Sequence, residues 1–450
     1  MPRNFAAPIL AVAVAFVTIL PIFAQSQQPT IPGMGMGLTA HPPTQMDMSP
    51  SKTLIQVELH HATSGTSVEP ASTPTPMLMS QHGAWTLMLH GNSFISDIQQ
   101  YATAPRGGDK LFSTNWLMPM AQRQLGPGQL TLRAMFSLEP ATIRDRQFPE
   151  LFQQGETAFG KPIVDGQHPH DFFMELAALY DIKLSERTLL SFYAAPVGDP
   201  AIGPTAYPHR LSASEDPLAA LGHHQEDSTH IAFNVLTAGF TWRSVRFEES
   251  GFHGGEPSEQ RWGFQPSPNG HAIDSYSSRL TFSPAANWSS QYSIAHITSP
   301  EALYPGENQQ RQTASIMYNR PLPNGNWSNT LVWGRTKSLT DSSKENSYLL
   351  ESLLNFRTRN YLWTRIENAG RSNELLLTPG DPLPPNFEES PIGHVAAYSF
   401  GYDRDFKIVP HLLIAPGAQF TSDTTPAALI PTYGPHPYGI VAFVRFRLTH

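Results

Sequence analysis

From Trp85 to the end of the chain, segment after segment places an apolar side chain at every second position. Leu130, Leu132, Ala134, Phe136 and Leu138 alternate with Gln129, Thr131, Arg133, Met135 and Ser137. Successive side chains of a strand point to opposite faces, so such a segment needs an apolar medium on one side and a polar one on the other. The runs are ~10–14 residues long, against the ~5–6 of soluble strands, and suffice for a tilted strand to cross a bilayer. The pattern predicts an all-β fold. It is an antiparallel transmembrane β-barrel of about 16 strands with long loops on one side, in the outer membrane of a Gram-negative-type bacterium. The expected strands run near 84–97, 111–125, 128–140, 171–184, 187–196, 229–238, 239–252, 272–283, 287–298, 310–321, 326–338, 346–357, 360–371, 392–405, 410–422 and 438–449. Trp85, Trp288, Trp327, Tyr361 and Trp363 are expected in interfacial girdles.

The rest of the 450-residue chain supports this reading. Arg3, the apolar run Ala6 to Phe23 and the small Ala24 read as a signal peptide over 1–24. Residues 25–82, rich in Pro, Thr, Ser and Met, are expected to form a disordered arm, because so little apolar surface cannot offset the entropy of ordering. The barrel then occupies 83–450. There are 0 cysteines, which excludes thiol nucleophiles and cysteine-ligated metals. A net charge of −8 argues against nucleic acid. Connections at 185–187, 284–287 and 322–326 are short and expected on the periplasmic side. Those at 141–170, 197–228 and 253–271 are long, facing outside or folding into the lumen. Phe148 to Phe159 is expected to carry a short helix within one of them.

Three polar clusters lie at the ends of long loops, where function concentrates. They are Asp165 to Asp171 with His168 and His170, then His223, His224, Glu226, Asp227 and His230, then His253 to Glu256. Imidazole with carboxylate is a ligand mix for zinc, copper or nickel. His168 and His170, two apart, share a face if the segment is a strand, so metal ligands are sought at His168, His170, Asp171, His223, His224, Glu226 and His230. The competing reading is a hydrogen-bond network that pins loops to the wall. The arm carries the pairs Met34-x-Met36, Met46-x-Met48 and Met77-x-Met79. Thioether sulfur selects Cu(I), and a segment without a core gives methionine no packing role. No catalytic motif such as G-x-S-x-G, H-E-x-x-H or a P-loop is present.

The runs Arg106-Gly-Gly-Asp109 to Trp116, His168-Pro-His-Asp171, Gly222-His-His224 with Asp227-Ser-Thr-His230, and Glu256 to Trp262 resemble a family of uncharacterised bacterial outer-membrane β-barrel proteins. The Met- and His-bearing arm before a barrel is similar in layout to the copper resistance B-type proteins, which implies a copper role. The expected function is passage or handling of a small polar solute or metal ion, with copper the preferred ion and membrane lipid the other partner. A loop-plugged structural or binding barrel without transport is the alternative. An outer-membrane enzyme is the third reading.

Overall fold

In the computed structural model of the protein, residues 53–227, 231–266 and 270–449 are described. Sixteen antiparallel strands close into one ring. They are β1 (Trp85–Tyr101), β2 (Gly107–Leu125), β3 (Gly128–Phe136), β4 (Phe173–Ser185), β5 (Thr188–Gly198), β6 (Ala232–Trp242), β7 (Val245–His253), β8 (Ser275–Phe282), β9 (Trp288–Ile297), β10 (Gln309–Leu322), β11 (Gly325–Ser338), β12 (Lys344–Phe356), β13 (Asn360–Ser372), β14 (Pro391–Arg404), β15 (Leu412–Thr424) and β16 (Tyr438–Leu448). Each pairs with the next in sequence, and β16 returns to β1 over Asn92↔Arg447 to Tyr101↔Tyr438. Closure leaves no unpaired edge, which is what lets strands exist in lipid. The count and nearly all boundaries match expectation. The turn between β6 and β7 falls at Arg243-Ser244 rather than at 238–239.

The outward face carries an apolar belt. In register around the wall lie Phe240, Phe247, Leu280 and Tyr292, then Ile316, Leu331, Leu350, Ile366 and Tyr398, then Phe420 and Ile440, each two-fifths exposed or more. In water a belt this wide would be an association surface; in a bilayer it meets lipid. The protein is an outer-membrane β-barrel. Trp288 and Trp327 face outward and pack on Tyr318, as girdle residues do. Trp363 and Tyr361 do not: they have the opposite parity, and Trp363 is buried in the lumen, donating from Nε1 to Gln419 Oε1 at 3.1 Å.

The lumen is occupied from both ends. From Thr53 onward the expected disordered arm is instead packed inside. Helix α1 (Leu54–His60) has a capping box between Thr53 and Gln56 and lies against the short turns, near Arg187, Arg243 and Ser283. Its carbonyl at Leu59 accepts from Gln122 and Gln129. The next residues are held by Arg133 of β3. Its guanidinium pairs with Glu175 of β4 at 2.6 and 2.8 Å and donates to the carbonyls of His61, Thr63 and Gly65. Compositional poverty in apolar residues does not prevent ordering here, because the wall supplies the hydrogen bonds. The segment leaves as a short strand, Leu78–His82, that turns at Gly83 (φ +58°) into β1.

From the other end, the loop after β5, described over 199–227, crosses the barrel. It is pinned to strands on the opposite wall. Arg210 is fully buried and binds Glu351 of β12 at 2.8 and 3.1 Å and Asp227 at 2.6 Å. Arg365 of β13 donates to the Leu218 carbonyl, and Arg445 and Arg447 of β16 bind Glu215. The 137–172 loop also folds inward. Phe148 to Phe159, expected as a helix, is a strand (Phe148–Ala158) that turns at Gly160 (φ +71°) and pairs with Lys161–Gln167. A cavity of about 630 Å³ remains between the N-terminal segment, β1, β2 and the crossing loop.

Two consequences are measurable. Leu331 sits midway along β11 on the lipid face, so Leu331→Arg should cost about 2–4 kcal/mol near the midplane, read as unfolding free energy in lipid; an unchanged value would place the belt elsewhere. Glu69, where the N-terminal segment meets the crossing loop, has its carboxyl pushed up to about 7 by burial, against the pull of Arg210. The docked state therefore keeps a proton that the open state has lost, and its stability falls as pH rises from about 4.5 to about 7. Hydrogen-exchange protection of residues 62–77 should weaken across that window, and Glu69→Gln should reduce the dependence, leaving the part carried by Glu58, which burial likewise raises to about 7.

Candidate functional site

The two inward loops meet in a cluster of histidines and acids. The 148–167 hairpin ends at Gln167, and 168–172 is irregular chain. His168 and His170 therefore do not share a face, which corrects the expectation of a common ion. Pro169 between them has no N–H to continue a ladder. His170 turns to Glu139, whose Oε2 lies 2.9 Å from Nδ1 and also accepts from the His170 backbone N–H. His168 turns the other way, with Nε2 2.7 Å from Glu156 Oε1.

The crossing loop supplies the third member. His223–Glu226 is one helical turn. It points successive side chains in different directions, so its expected ligands separate. The His224 ring approaches His168, with centroids 5.7 Å apart. His223 Nε2 lies 3.3 Å from Gln167 Nε2, and Glu226 Oε1 accepts from Ser347 of β12 at 2.6 Å. Asp171 is drawn to Arg261, and His253 of the third cluster to Asp274. Glu156, His168 and His224 each present one ligand atom, all within 4.8 Å of one another. Of the expected metal ligands, then, His168 and His224 come together, whereas His170, Asp171, His223 and Glu226 are engaged elsewhere. His230 and the arm's Met34, Met36, Met46 and Met48 lie outside the described residues.

Burial alone would raise the Glu156 carboxyl, but the neighbouring His168 and Arg261 hold it below the ordinary range. Burial pushes the His224 imidazole down to about 3, leaving it neutral with a lone pair. Arg261 donates to Glu156 Oε2 at 2.6 Å, which leaves Oε1 to the histidines. Burial also raises Asp171 to about 7 in spite of Arg261. Glu156 and Arg261 were absent from the sequence expectation.

These features define the class: a closed outer-membrane barrel whose lumen is crossed by its own loops. No family model matches the chain. No curated protein matches it either. Among solved structures, it is similar to the anion-selective porin from Comamonas acidovorans at 10% identity, covering 81% of this chain and 100% of that one with a TM-score of 0.48. The outer membrane channel DcaP of Acinetobacter baumannii is similar at 7% identity, covering 82% and 99%, with a TM-score of 0.48. Pseudomonas putida OprB is similar at 9% identity, covering 81% and 94%, with a TM-score of 0.47.

Arg261 joins the hairpin cluster to the loop after β7, described over 254–266. Arg261→Leu leaves two buried carboxyls without their cation and should cost about 3–5 kcal/mol. The expected readout is loss of hydrogen-exchange protection over 148–167, recovered when Glu156→Gln and Asp171→Asn are added. Full protection in the single variant would show that the hairpin is held by other contacts.

Proposed function

We propose that the protein admits a small polar solute or metal ion from the long-loop end of the barrel and holds it at Glu156, His168 and His224. The observation that carries this is the convergence of a carboxylate with two imidazoles at the junction of two loops that belong to different hairpins. Two nitrogens and one oxygen leave a fourth position open, the ligand set of Zn(II) and Cu(II). Copper is the preferred ion because the arm's methionine pairs suit Cu(I) and the imidazole–carboxylate set suits Cu(II), each taken up in its own oxidation state. The filled lumen favours a second reading, a binding barrel without conduction. Arg210, Arg365 and Arg445 tie the crossing loop to the far wall through buried pairs.

Zn(II) and Cu(II) titration of the full-length protein tests the site. One ion per barrel is expected, weakened at least tenfold by Glu156→Gln or His224→Ala. Equal affinity in all three proteins sinks it. Conductance in planar bilayers separates the two readings. Steps that metal blocks support passage, and a silent barrel that still binds metal supports the binding protein. Removing residues 30–50 should abolish Cu(I) capture by the arm and leave α1 docked.

A further inference from the structure

The wall beside the large cavity is lined with sulfur. Met88 of β1, Met118 and Met120 of β2 and Met135 of β3 lie on the inner face of adjacent strands, with Met88 opposite Met120 in register. Met174, beside a β-bulge of β4, and Met77 of the N-terminal segment complete the group. All six are buried. Farther along β1 and β2 the inner positions hold Phe94, Ile98 and Phe112 beside Ser and Thr, so this patch is set apart by its thioethers rather than by being apolar. Two imidazoles face it. His90 stands opposite Met118 across the β1–β2 pair. His209 reaches down from the crossing loop and puts Nε2 3.4 Å from Met135 Sδ. The two rings lie 5.5 Å apart, and the Trp116 ring packs on both, at 5.1 and 4.4 Å.

Packing alone leaves part of this unexplained. His90 Nε2 is buried with no hydrogen-bond partner among the described residues, and a buried polar atom left so costs about 1–3 kcal/mol. Among the described residues, the only hydrogen-bond partner of His209 Nε2 is a sulfur, a weak acceptor. An imidazole with its proton on Nδ1 presents the Nε2 lone pair toward Met135 Sδ. The 3.4 Å between His209 Nε2 and Met135 Sδ lets both donor atoms reach one ion.

We propose that His90, His209 and Met135, with the thioethers of Met88 and Met118 around them, form a binding site for a soft monovalent cation, Ag(I) or Cu(I). Every donor is neutral. A dication entering such a site would shed its water with no anion to replace it, whereas a soft monovalent ion gains thioether and imidazole ligands that suit it. Glu156, His168 and His224 are a separate set with a carboxylate, so this proposal stands whether or not that site binds metal. Met77, Met88, His90 and His209 all line the 630 Å³ cavity, which gives an ion a way in along the N-terminal segment.

The test uses full-length protein in which Met34, Met36, Met46 and Met48 are leucine, so that the arm contributes no sulfur, titrated with silver nitrate in chloride-free buffer. One Ag(I) per barrel is expected, with quenching of Trp116 fluorescence and a shift of the Met135 ε-methyl resonance. Met118→Leu, Met135→Leu and His209→Phe together should weaken binding at least a hundredfold. Leucine keeps methionine's volume, which is tolerated in a packed core, and the methyl shift in the unmutated barrel reads the site independently of those substitutions. A folded barrel that takes up no Ag(I), binding unaltered by the triple substitution, or an unmoved Met135 methyl overturns the proposal.

Discussion

The buried guanidinium organises this molecule. An arginine on the inner wall cannot discharge, and it presents five N–H donors in a rigid fork. A carboxylate on the neighbouring strand takes two of them, as Glu175 does for Arg133. The remaining donors need acceptors, since an unmet charge in a low-dielectric interior is strongly unfavourable. Here those acceptors are backbone carbonyls of inserted chain: His61, Thr63 and Gly65 for Arg133, Thr66 for Arg246, Gly203 for Arg279, Leu218 for Arg365 and Leu221 for Arg371. A barrel of sixteen strands is wide enough to hold water. This one holds peptide instead, because its wall is written in forks that peptide carbonyls satisfy.

The same interaction explains how two loops and an N-terminal segment, none with an apolar core of its own, are ordered. Their polar composition is an asset inside the lumen. Backbone groups that would be stranded in a hydrophobic interior meet wall side chains, and the few apolar residues they carry, such as Phe148 and Leu218, pack with Phe112, Trp363 and Phe443. The result is two compartments of different chemistry. Toward the loops lie carboxylates and imidazoles, and beside the N-terminal segment lie thioethers and imidazoles.

Much of the candidate site was legible residue by residue, yet its grouping was not. His168 and His224 stood out as imidazoles in acidic loop clusters, but the sequence placed His168 with its neighbour His170. An irregular chain around Pro169 turned the two apart, and the partner came from 56 residues further on. Glu156 was hidden because FPELFQQGETAF carries both helical and strand-like spacing. Only the reversal at Gly160 decides for the strand and swings Glu156 onto His168. The methionine patch left a fainter mark. Met118, Met120 and Met135 share the inner parity with Phe112, Thr131 and Arg133, so only their clustering marks them once the strands are aligned.

By itself the sequence determined the barrel: the number of strands, which parity faces lipid and where the long loops fall. Those are properties of a period-two pattern, and a closed membrane sheet offers only one way to satisfy it. Tertiary structure alone decided what fills the lumen and which ligands meet. The contacts at issue join residues far apart in the chain, Arg133 to the 61–65 carbonyls, Arg210 to Glu351, Glu156 to His168 and His224. They depend on which loops turn inward. That choice is set by hydrogen-bond satisfaction across the barrel's diameter, and it leaves no periodic trace along the sequence.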